Sequence, residues 1–149
     1  MSVKVNIIEA ISVVSLLCCA FPLSHYCSLK GIPIPRHFSG GEVDAYTNRS
    51  IFIVLSVLAL SVYVFLSFCQ IHPKLINIPF TSQVNLESVS IQIVRSVKMW
   101  SMLLFASLSN IIYFIAIGKI KNYNRVYLLV IIISLVFHIS LILIKNKQS

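Results

Sequence analysis

The spacing of charged residues constrains this chain more than any other feature of its sequence. Asp, Glu, Lys and Arg are absent from four long apolar stretches, which cover residues 10–29, 50–73, 99–118 and 126–144. A charge at the centre of a bilayer is costly, and a membrane-spanning helix needs about 20 apolar residues. The pattern therefore predicts four transmembrane helices, over residues 5–25, 50–71, 98–118 and 124–144.

The composition supports lipid as the solvent for these stretches. Hydrophobic residues make up 58% of the 149 positions and charged residues only 11%, whereas soluble proteins carry about 25% charged residues. We predict an all-α fold: an integral membrane four-helix bundle that forms one membrane domain over residues 1–149 and contacts membrane lipid. The net charge of +8 does not indicate a nucleic-acid partner, because Lys and Arg lie singly or in pairs between the apolar stretches, as interface anchors do.

The first apolar stretch also has features of a cleavable signal peptide, since Lys4 precedes it. Glu9 interrupts its start, however, and no clean small-x-small cleavage site follows. A retained helix is the favoured interpretation, with Pro22 near its end, where a kink costs least. Glu9 is close enough to the helix start to reach the interface, so we expect it to be solvated.

Four spans place both chain ends on one side of the membrane, together with the loop 72–98. The loops 26–49 and 119–125 then lie on the other side. The positive-inside rule does not choose an orientation, because each side carries six Lys and Arg residues. These are Lys4, Lys74, Arg95, Lys98, Lys145 and Lys147 against Lys30, Arg36, Arg49, Lys119, Lys121 and Arg125. We expect cytoplasmic termini, because loop 26–49 has the character of a structured binding loop.

Residues 85–97 predict an interfacial amphipathic helix before the third span. Apolar residues recur there at helical spacing, at Leu86, Val89, Ile93 and Val97. No Gly or Pro separates this segment from Met99, so we expect it to run into the third span. A β-strand through Val89, Ile91 and Ile93 is the alternative.

The loop 26–49 is the least lipid-like part of the chain. Pro33 and Pro35 each push the preceding residue out of the helical region, so the entry to the loop is extended. Gly40 and Gly41 then permit a tight reversal.

A turn at those glycines places His37 opposite Asp44 and Phe38 opposite Val43, so that a contact between His and a carboxylate locks the loop. A divalent metal is a further interpretation, since imidazole and carboxylate groups suit transition ions. Its ligands would be His25, His37, Glu42 and Asp44. Their spacing matches no strong ligand pattern, so we predict no metal site.

The same residues carry a resemblance to a known family. The segments Ile34-Pro35-x-His37-Phe38 and Gly41-Glu42-x-Asp44-x-Tyr46 are similar to the signature Ile-Pro-x-His-Phe/Trp…Gly-x-x-Asp-x-Trp/Tyr of the domain-of-unknown-function 1648 (DUF1648) membrane proteins. In that family the signature joins the first two transmembrane helices, and a shorter form has a surface helix and two more spans. In this chain, Ser39 stands where family members usually have Asn or Asp, and the turn is one residue shorter.

The resemblance implies a bacterial plasma membrane, because relatives include immunity and signalling proteins of the sporulation-delaying-toxin system. It also implies a set of motif residues that act in loop structure or in ligand contact. These are Pro35, His37, Phe38, Gly41, Asp44 and Tyr46.

Two polar residues fall inside the predicted spans: Asn110 in the third and His138 late in the fourth. Polar groups in lipid need partners, so we expect these side chains to bond to each other or to backbone carbonyls. A proton or substrate relay is the alternative. Tyr63 and the serines of the second span, Ser56, Ser61 and Ser67, are expected to serve packing.

Motifs with a built-in reaction mechanism are missing from the sequence: it has no Gly-rich phosphate loop, Cys-x-x-Cys, His-Glu-x-x-His or Gly-x-Ser-x-Gly. We therefore expect no enzyme activity and no cofactor. The favoured function is recognition, immunity or signalling, with loop 26–49 binding a peptide or a membrane-protein partner. The alternative is a small transporter or channel subunit in which Asn110 and His138 line a path. A membrane-embedded hydrolase lacks a nucleophile and a base at one depth.

Overall fold

The computed structural model describes residues 6–39, 42–75, 86–121 and 126–147. In chain order it contains helix α1 (Ile7–Ala20), a 3-10 turn (Phe21–His25), strands β1 (Ile34–Ser39) and β2 (Glu42–Thr47), α2 (Ile51–Ile71), a second 3-10 turn (Pro73–Leu75), α3 (Leu86–Ala116) and α4 (Val126–Lys147). Four of the described helical segments are long and apolar enough to cross a membrane: Ile7–Ser24, Ile51–Ile71, Glu87–Ala116 and Val126–Asn146. The prediction of four apolar helices is confirmed, and the chain has the architecture of a multi-pass membrane protein.

Helix α1 begins at a capped end and changes character at a proline. The Asn6 side chain accepts a hydrogen bond from the Ile8 N–H (3.1 Å), which satisfies one of the free donors of the first turn. Pro22 cannot donate to the helical ladder, and the chain continues as a 3-10 turn from Phe21 to His25. The first predicted span is thus an α-helix followed by a short 3-10 extension.

Helix α3 is one continuous helix of 31 residues, about 46 Å long at 1.5 Å per residue. It includes the segment predicted as an interfacial helix, so the helical interpretation is confirmed and the alternative of a strand is wrong. The prediction that this segment runs into the third span is also confirmed, since the helix is unbroken from Leu86 to Ala116. Val89 and Val94 are buried together with Ser90 and Ser96, so these first turns pack against the protein.

Contacts between the helices fix their relative directions. Glu9 near the start of α1 meets Lys98 in the middle of α3, and Cys18 further along α1 meets Asn110 further along α3, so these two helices run parallel. Gln70 at the end of α2 also meets Lys98, and Phe52 at the start of α2 lies against Tyr113 near the end of α3, so α2 runs antiparallel to α3. Both chain ends of the described bundle therefore lie on one side, and strands β1 and β2 lie on the other.

Helix α3 is the centre of the packing. Helices α1, α2 and α3 contact one another, whereas α4 packs mainly on α3. Ile142 is the only buried residue between Val126 and Asn146. The predicted four-helix bundle is therefore a three-helix core with a peripheral fourth helix.

Strands β1 and β2 form a two-stranded antiparallel hairpin between α1 and α2. The hairpin rests on a hydrophobic cluster at the ends of the core helices. The cluster is made of Leu29, Ile34, Phe52, Ile112 and Tyr113. The polar loop of the sequence is thus a folded element attached to the core.

Candidate functional site

The base of the hairpin is buried in the helical core. Ile34 and Pro35 are fully buried, and Phe38 packs partly against the same cluster of core residues. Burying an aliphatic side chain contributes about 1.5–3 kcal/mol. The base therefore supplies the stability of the hairpin, and two of the predicted motif residues, Pro35 and Phe38, have a structural role.

Arg49 ties the two ends of the loop together. Its guanidinium donates a 2.8 Å hydrogen bond to the backbone carbonyl of Tyr26, and its Cζ lies 4.2 Å from the centre of the Tyr26 ring. The Asn48 side chain accepts from the Ser50 N–H (2.9 Å) in the turn that leads into α2. No local pattern marks Arg49 as a loop anchor, because its partner Tyr26 lies 23 residues away in the chain.

His37 and Asp44 form the predicted contact. Their Nδ1 and Oδ1 atoms are 2.6 Å apart, and their side chains are 67% and 43% exposed. Phe38 pairs with Val43 as predicted, but the backbone partner of His37 is Ala45, one residue away from the predicted position. The register is irregular on both sides of His37, next to a proline that cannot donate to the ladder.

The hairpin displays a polar face. Arg36, His37, Glu42 and Asp44 are exposed, and so is 57% of Tyr46. Gly41, the remaining predicted motif residue, lies outside the described residues. An exposed ion pair adds little stability, about 0–1 kcal/mol. The contact between His37 and Asp44 therefore orients two side chains and contributes little to holding the loop together.

The hairpin also has an open edge. The described part of the sheet contains only β1 and β2, so the outer edge of β2 has no strand beside it. Pro35 removes a donor from β1, whereas β2 contains no proline. A proline-free edge keeps its backbone donors and acceptors available to an extended segment of another chain.

A second polar arrangement joins α1, α2 and α3. The Lys98 ammonium donates to Glu9 Oε1 (2.6 Å), to Gln70 Oε1 (2.9 Å) and to Ser67 Oγ (3.2 Å). These three acceptors use all three of its donor hydrogens. The Tyr63 hydroxyl donates to the same Glu9 oxygen (2.9 Å), and the centre of its ring lies 4.9 Å from Lys98 Nζ.

This arrangement corrects two expectations. Glu9 was expected to be solvated, but its side chain is only 32% exposed and is paired with Lys98. Lys98, counted among the interface anchors, has a side chain that is 1% exposed. Ser67 and Tyr63, which were predicted to serve packing, also form hydrogen bonds with these charged groups. The sequence did not predict the cluster because its members come from three helices; the only available signal was that Glu9 and Lys98 lie near the same-side ends of two predicted spans.

Two further polar atoms of this region are buried. Glu9 Oε2 and Arg95 Nε are buried, and neither has a hydrogen-bond partner among the residues that the structure describes. A buried charge without its partner costs several kcal/mol. Sliding α1 or α2 along α3 would break the bond from Lys98 to Glu9 or to Gln70, so these bonds fix the depth of both helices against α3.

The two predicted intramembrane polar residues bond to different groups. Asn110 Nδ2 donates to the backbone carbonyls of Cys18 and Ala106, both at 2.8 Å. Trp100 Nε1 donates to His138 Nδ1 at 3.2 Å. The expectation of a backbone partner is confirmed for Asn110, and the expectation that Asn110 and His138 bond to each other is wrong.

No cluster of three or more His, Cys, Asp or Glu residues suited to a metal ion occurs within the described ranges. His25 instead contacts the Ser24 hydroxyl (2.9 Å) and lies against the rings of Phe21 and Tyr113. The metal interpretation of His25 with His37, Glu42 and Asp44 therefore has no support in the geometry.

Comparisons with protein-family models, with curated proteins and with solved structures find no match to this chain. The resemblance to the DUF1648 proteins thus rests on the motif residues of the loop alone.

Proposed function

We propose that this chain is a non-enzymatic multi-pass membrane protein that recognises a peptide or a segment of a protein partner with its hairpin. The observation that carries the proposal is the contrast within the hairpin between a buried base and an exposed polar face. Ile34 and Pro35 hold the base in the helical core, while His37, Asp44 and Tyr46 remain accessible.

Preorganisation supports a binding role for this surface. Binding to a mobile loop loses conformational entropy, and a loop that is already fixed loses less. Here the bond from Arg49 to Tyr26 and the buried base hold the strands before any partner arrives. The exposed pair of His37 and Asp44 adds little stability, which favours ligand contact as its role over a purely structural one.

The open edge of β2 indicates the form of the partner. An extended segment that pairs with a free strand edge gains backbone hydrogen bonds, while neighbouring side chains supply selectivity. The outward side chains of β2 are Glu42, Asp44 and Tyr46. Two carboxylates and one aromatic ring suit an extended peptide that carries a basic residue.

A position-specific photo-crosslinking experiment tests the proposal. A photoreactive residue at position 46 should yield a discrete adduct with a polypeptide in intact cells. The same residue at position 54, on the exposed apolar surface of α2, should not yield that adduct. Asp44→Ala and His37→Ala should abolish the adduct at position 46 while membrane insertion persists. An adduct that is unchanged in both variants would contradict the proposal.

For the location, we propose a bacterial plasma membrane with both termini in the cytoplasm and the hairpin outside. The resemblance of the loop to the DUF1648 signature supports this membrane, and a recognition hairpin is most useful on the outer face. Labelling of Cys27, an exposed thiol in the segment before the hairpin, by a membrane-impermeant maleimide tests the orientation. Labelling that occurs only after the cells are opened would indicate the opposite orientation, with the hairpin in the cytoplasm.

The alternative of a transporter or channel subunit receives less support from the geometry. That alternative requires Asn110 and His138 to line one path, yet each side chain forms hydrogen bonds with different groups. Flux through liposomes that Asn110→Leu and His138→Leu abolish would restore the alternative.

A further inference from the structure

A groove between α1 and α3 opens towards the surrounding membrane. It has a volume of about 600 Å³, and its walls are almost entirely apolar. Its lining includes Ile7, Val14, Cys18, Leu103, Ser107 and Asn110. In a lipid bilayer such a groove is filled either by acyl chains or by a helix.

Two polar groups in the groove favour a helix over acyl chains. Both hydrogens of Asn110 Nδ2 are used by the carbonyls of Cys18 and Ala106, which leaves the side-chain oxygen as an acceptor. No residue in the described ranges donates a hydrogen bond to this oxygen. Acyl chains carry no donors, and a polar atom that faces them without a partner is costly.

Ser107 supplies the complementary donor. Ser56 has no hydrogen-bond partner among the described residues, whereas four other helix serines donate to the carbonyl four residues earlier: Ser12, Ser61, Ser96 and Ser140. The Ser107 hydroxyl makes no such bond and has no other partner in the part of the chain that the structure describes. One face of α3 therefore presents a free donor and a free acceptor one helical turn apart.

We propose that the groove is the contact surface between two copies of this chain. A two-fold axis along the membrane normal makes the two α3 helices parallel and gives each copy the same contacts. The Ser107 hydroxyl of one copy then donates to the Asn110 oxygen of the other, and the reciprocal bond forms across the axis. Side chains on a helix lean towards its N-terminus, so Asn110 reaches back towards the level of Ser107.

The remaining lining of the groove suits this partner. Small residues allow helix backbones to approach closely in a membrane: here Ala10, Ser15, Ala106 and Ser107. No charged residue lines the groove, so two identical faces meet without repulsion. A self-complementary face fits a second copy without requiring a different protein, and this inference does not depend on the proposed function of the hairpin.

Cross-linking through Cys18 is the direct test. This thiol is exposed and lines the groove, whereas Cys19 is buried. The full chain with Cys27→Ser and Cys69→Ser, reconstituted in phosphatidylcholine liposomes, should give a covalent dimer with a short bis-maleimide. The matched chain with Cys18→Ser and Cys27→Ser, which keeps Cys69 on α2, should give no covalent dimer, because its remaining reactive thiol lies outside the groove. Equal cross-linking of the two chains, or none with Cys18, would overturn the proposal.

A dilution series tests the role of Ser107. Hydrogen bonds between membrane helices contribute about 0.6 kcal/mol each on average. Loss of two such bonds per dimer in Ser107→Ala should therefore raise the dimer dissociation constant about fivefold to tenfold. Energy transfer between labelled copies at increasing lipid-to-protein ratios measures this constant. Ser140→Ala is the control, because Ser140 already bonds to Val136 on α4.

Outcomes of the dilution series separate the possible occupants. A dissociation constant that is raised in Ser107→Ala and unchanged in Ser140→Ala supports the second copy. Equal values in both variants, or a protein that stays monomeric at every ratio with phospholipid held in the groove, would contradict it. Asn110→Leu removes the same two bonds between the copies and should also raise the dissociation constant, and a constant that it leaves unchanged would contradict the proposal.

Discussion

The ammonium group of Lys98 lies 2.6 Å from the carboxylate of Glu9, although the two residues are 89 positions apart in the chain. Lys98 is almost completely buried, and Glu9 is about two-thirds buried. The pair joins α1 to α3 on the side of the bundle that carries both chain ends. It is the strongest polar constraint on how the first three helices pack, and it determines the first two predictions.

Lys98→Met should destabilise the protein, because it leaves the Glu9 carboxylate in a partly buried position without its main partner. Breaking a fully buried pair costs about 3–5 kcal/mol. Since Glu9 retains some exposure, we expect about 2–3 kcal/mol. Unfolding monitored in bicelles measures the loss. Lys119→Met, which removes an exposed lysine, is the control and should change the free energy of unfolding little.

A double variant sharpens that prediction. In Glu9→Gln with Lys98→Met, neither charge is left unpaired, so the double variant should be more stable than Lys98→Met alone. If the losses in free energy of unfolding of the two single variants add up to that of the double variant, the two residues do not interact.

Tyr63→Phe should cost about 0.5–1.5 kcal/mol. The substitution keeps the ring beside Lys98 and removes only the hydroxyl that donates to Glu9. Unfolding in the same bicelles measures the change in free energy. Tyr127→Phe, at a position that is 66% exposed on α4, is the matched control. A loss no larger than that of the control would show that the bond from Tyr63 to Glu9 has no role in stability.

Arg49→Lys should loosen the hairpin although the positive charge is kept. A lysine ammonium cannot reproduce the planar stacking of the guanidinium on the Tyr26 ring together with the bond to the Tyr26 carbonyl. Hydrogen exchange of the β1 and β2 amides should become faster, whereas Arg36→Lys, on the exposed face, should leave it unchanged. Equal exchange in the two variants would argue against Arg49 as an anchor.

His37→Ala and Asp44→Ala should separate recognition from stability. Their side chains are 67% and 43% exposed, so the loss of their contact should change the free energy of unfolding by less than about 1 kcal/mol. The same substitutions should remove the photo-crosslinked adduct formed at position 46. A large loss of stability would instead assign the pair to loop structure.

The sequence predicted those parts of the fold that depend on local chemistry. Lipid excludes charge, so the gaps between charged residues located α1, α2 and α4 to within a few residues, whereas α3 begins at Leu86, in the segment predicted as an interfacial helix that runs into the third span. Pro35 and the glycine pair indicated a reversal, and the contact of His37 with Asp44 follows from it.

Features that depend on tertiary packing were missed. Glu9 and Lys98 meet because α1 and α3 are parallel neighbours, and neither residue carries a local signal of burial. Ser90 and Ser96 are buried in α3, although polar residues in an amphipathic pattern normally mark the exposed face of a helix. The shift at His37 depends on an irregularity in the ladder beside Pro35, which residue spacing alone does not specify.

Whether the four apolar helices cross a membrane can be measured from the accessibility of the hairpin and of the C-terminus in intact cells. In a chain with its native cysteines replaced, Ser39→Cys and a cysteine appended after Ser149 are each exposed to an impermeant maleimide. We expect labelling of the hairpin cysteine in intact cells and of the terminal cysteine only after permeabilisation. Labelling of both cysteines from the same side would contradict an arrangement in which the hairpin and the chain ends lie on opposite faces.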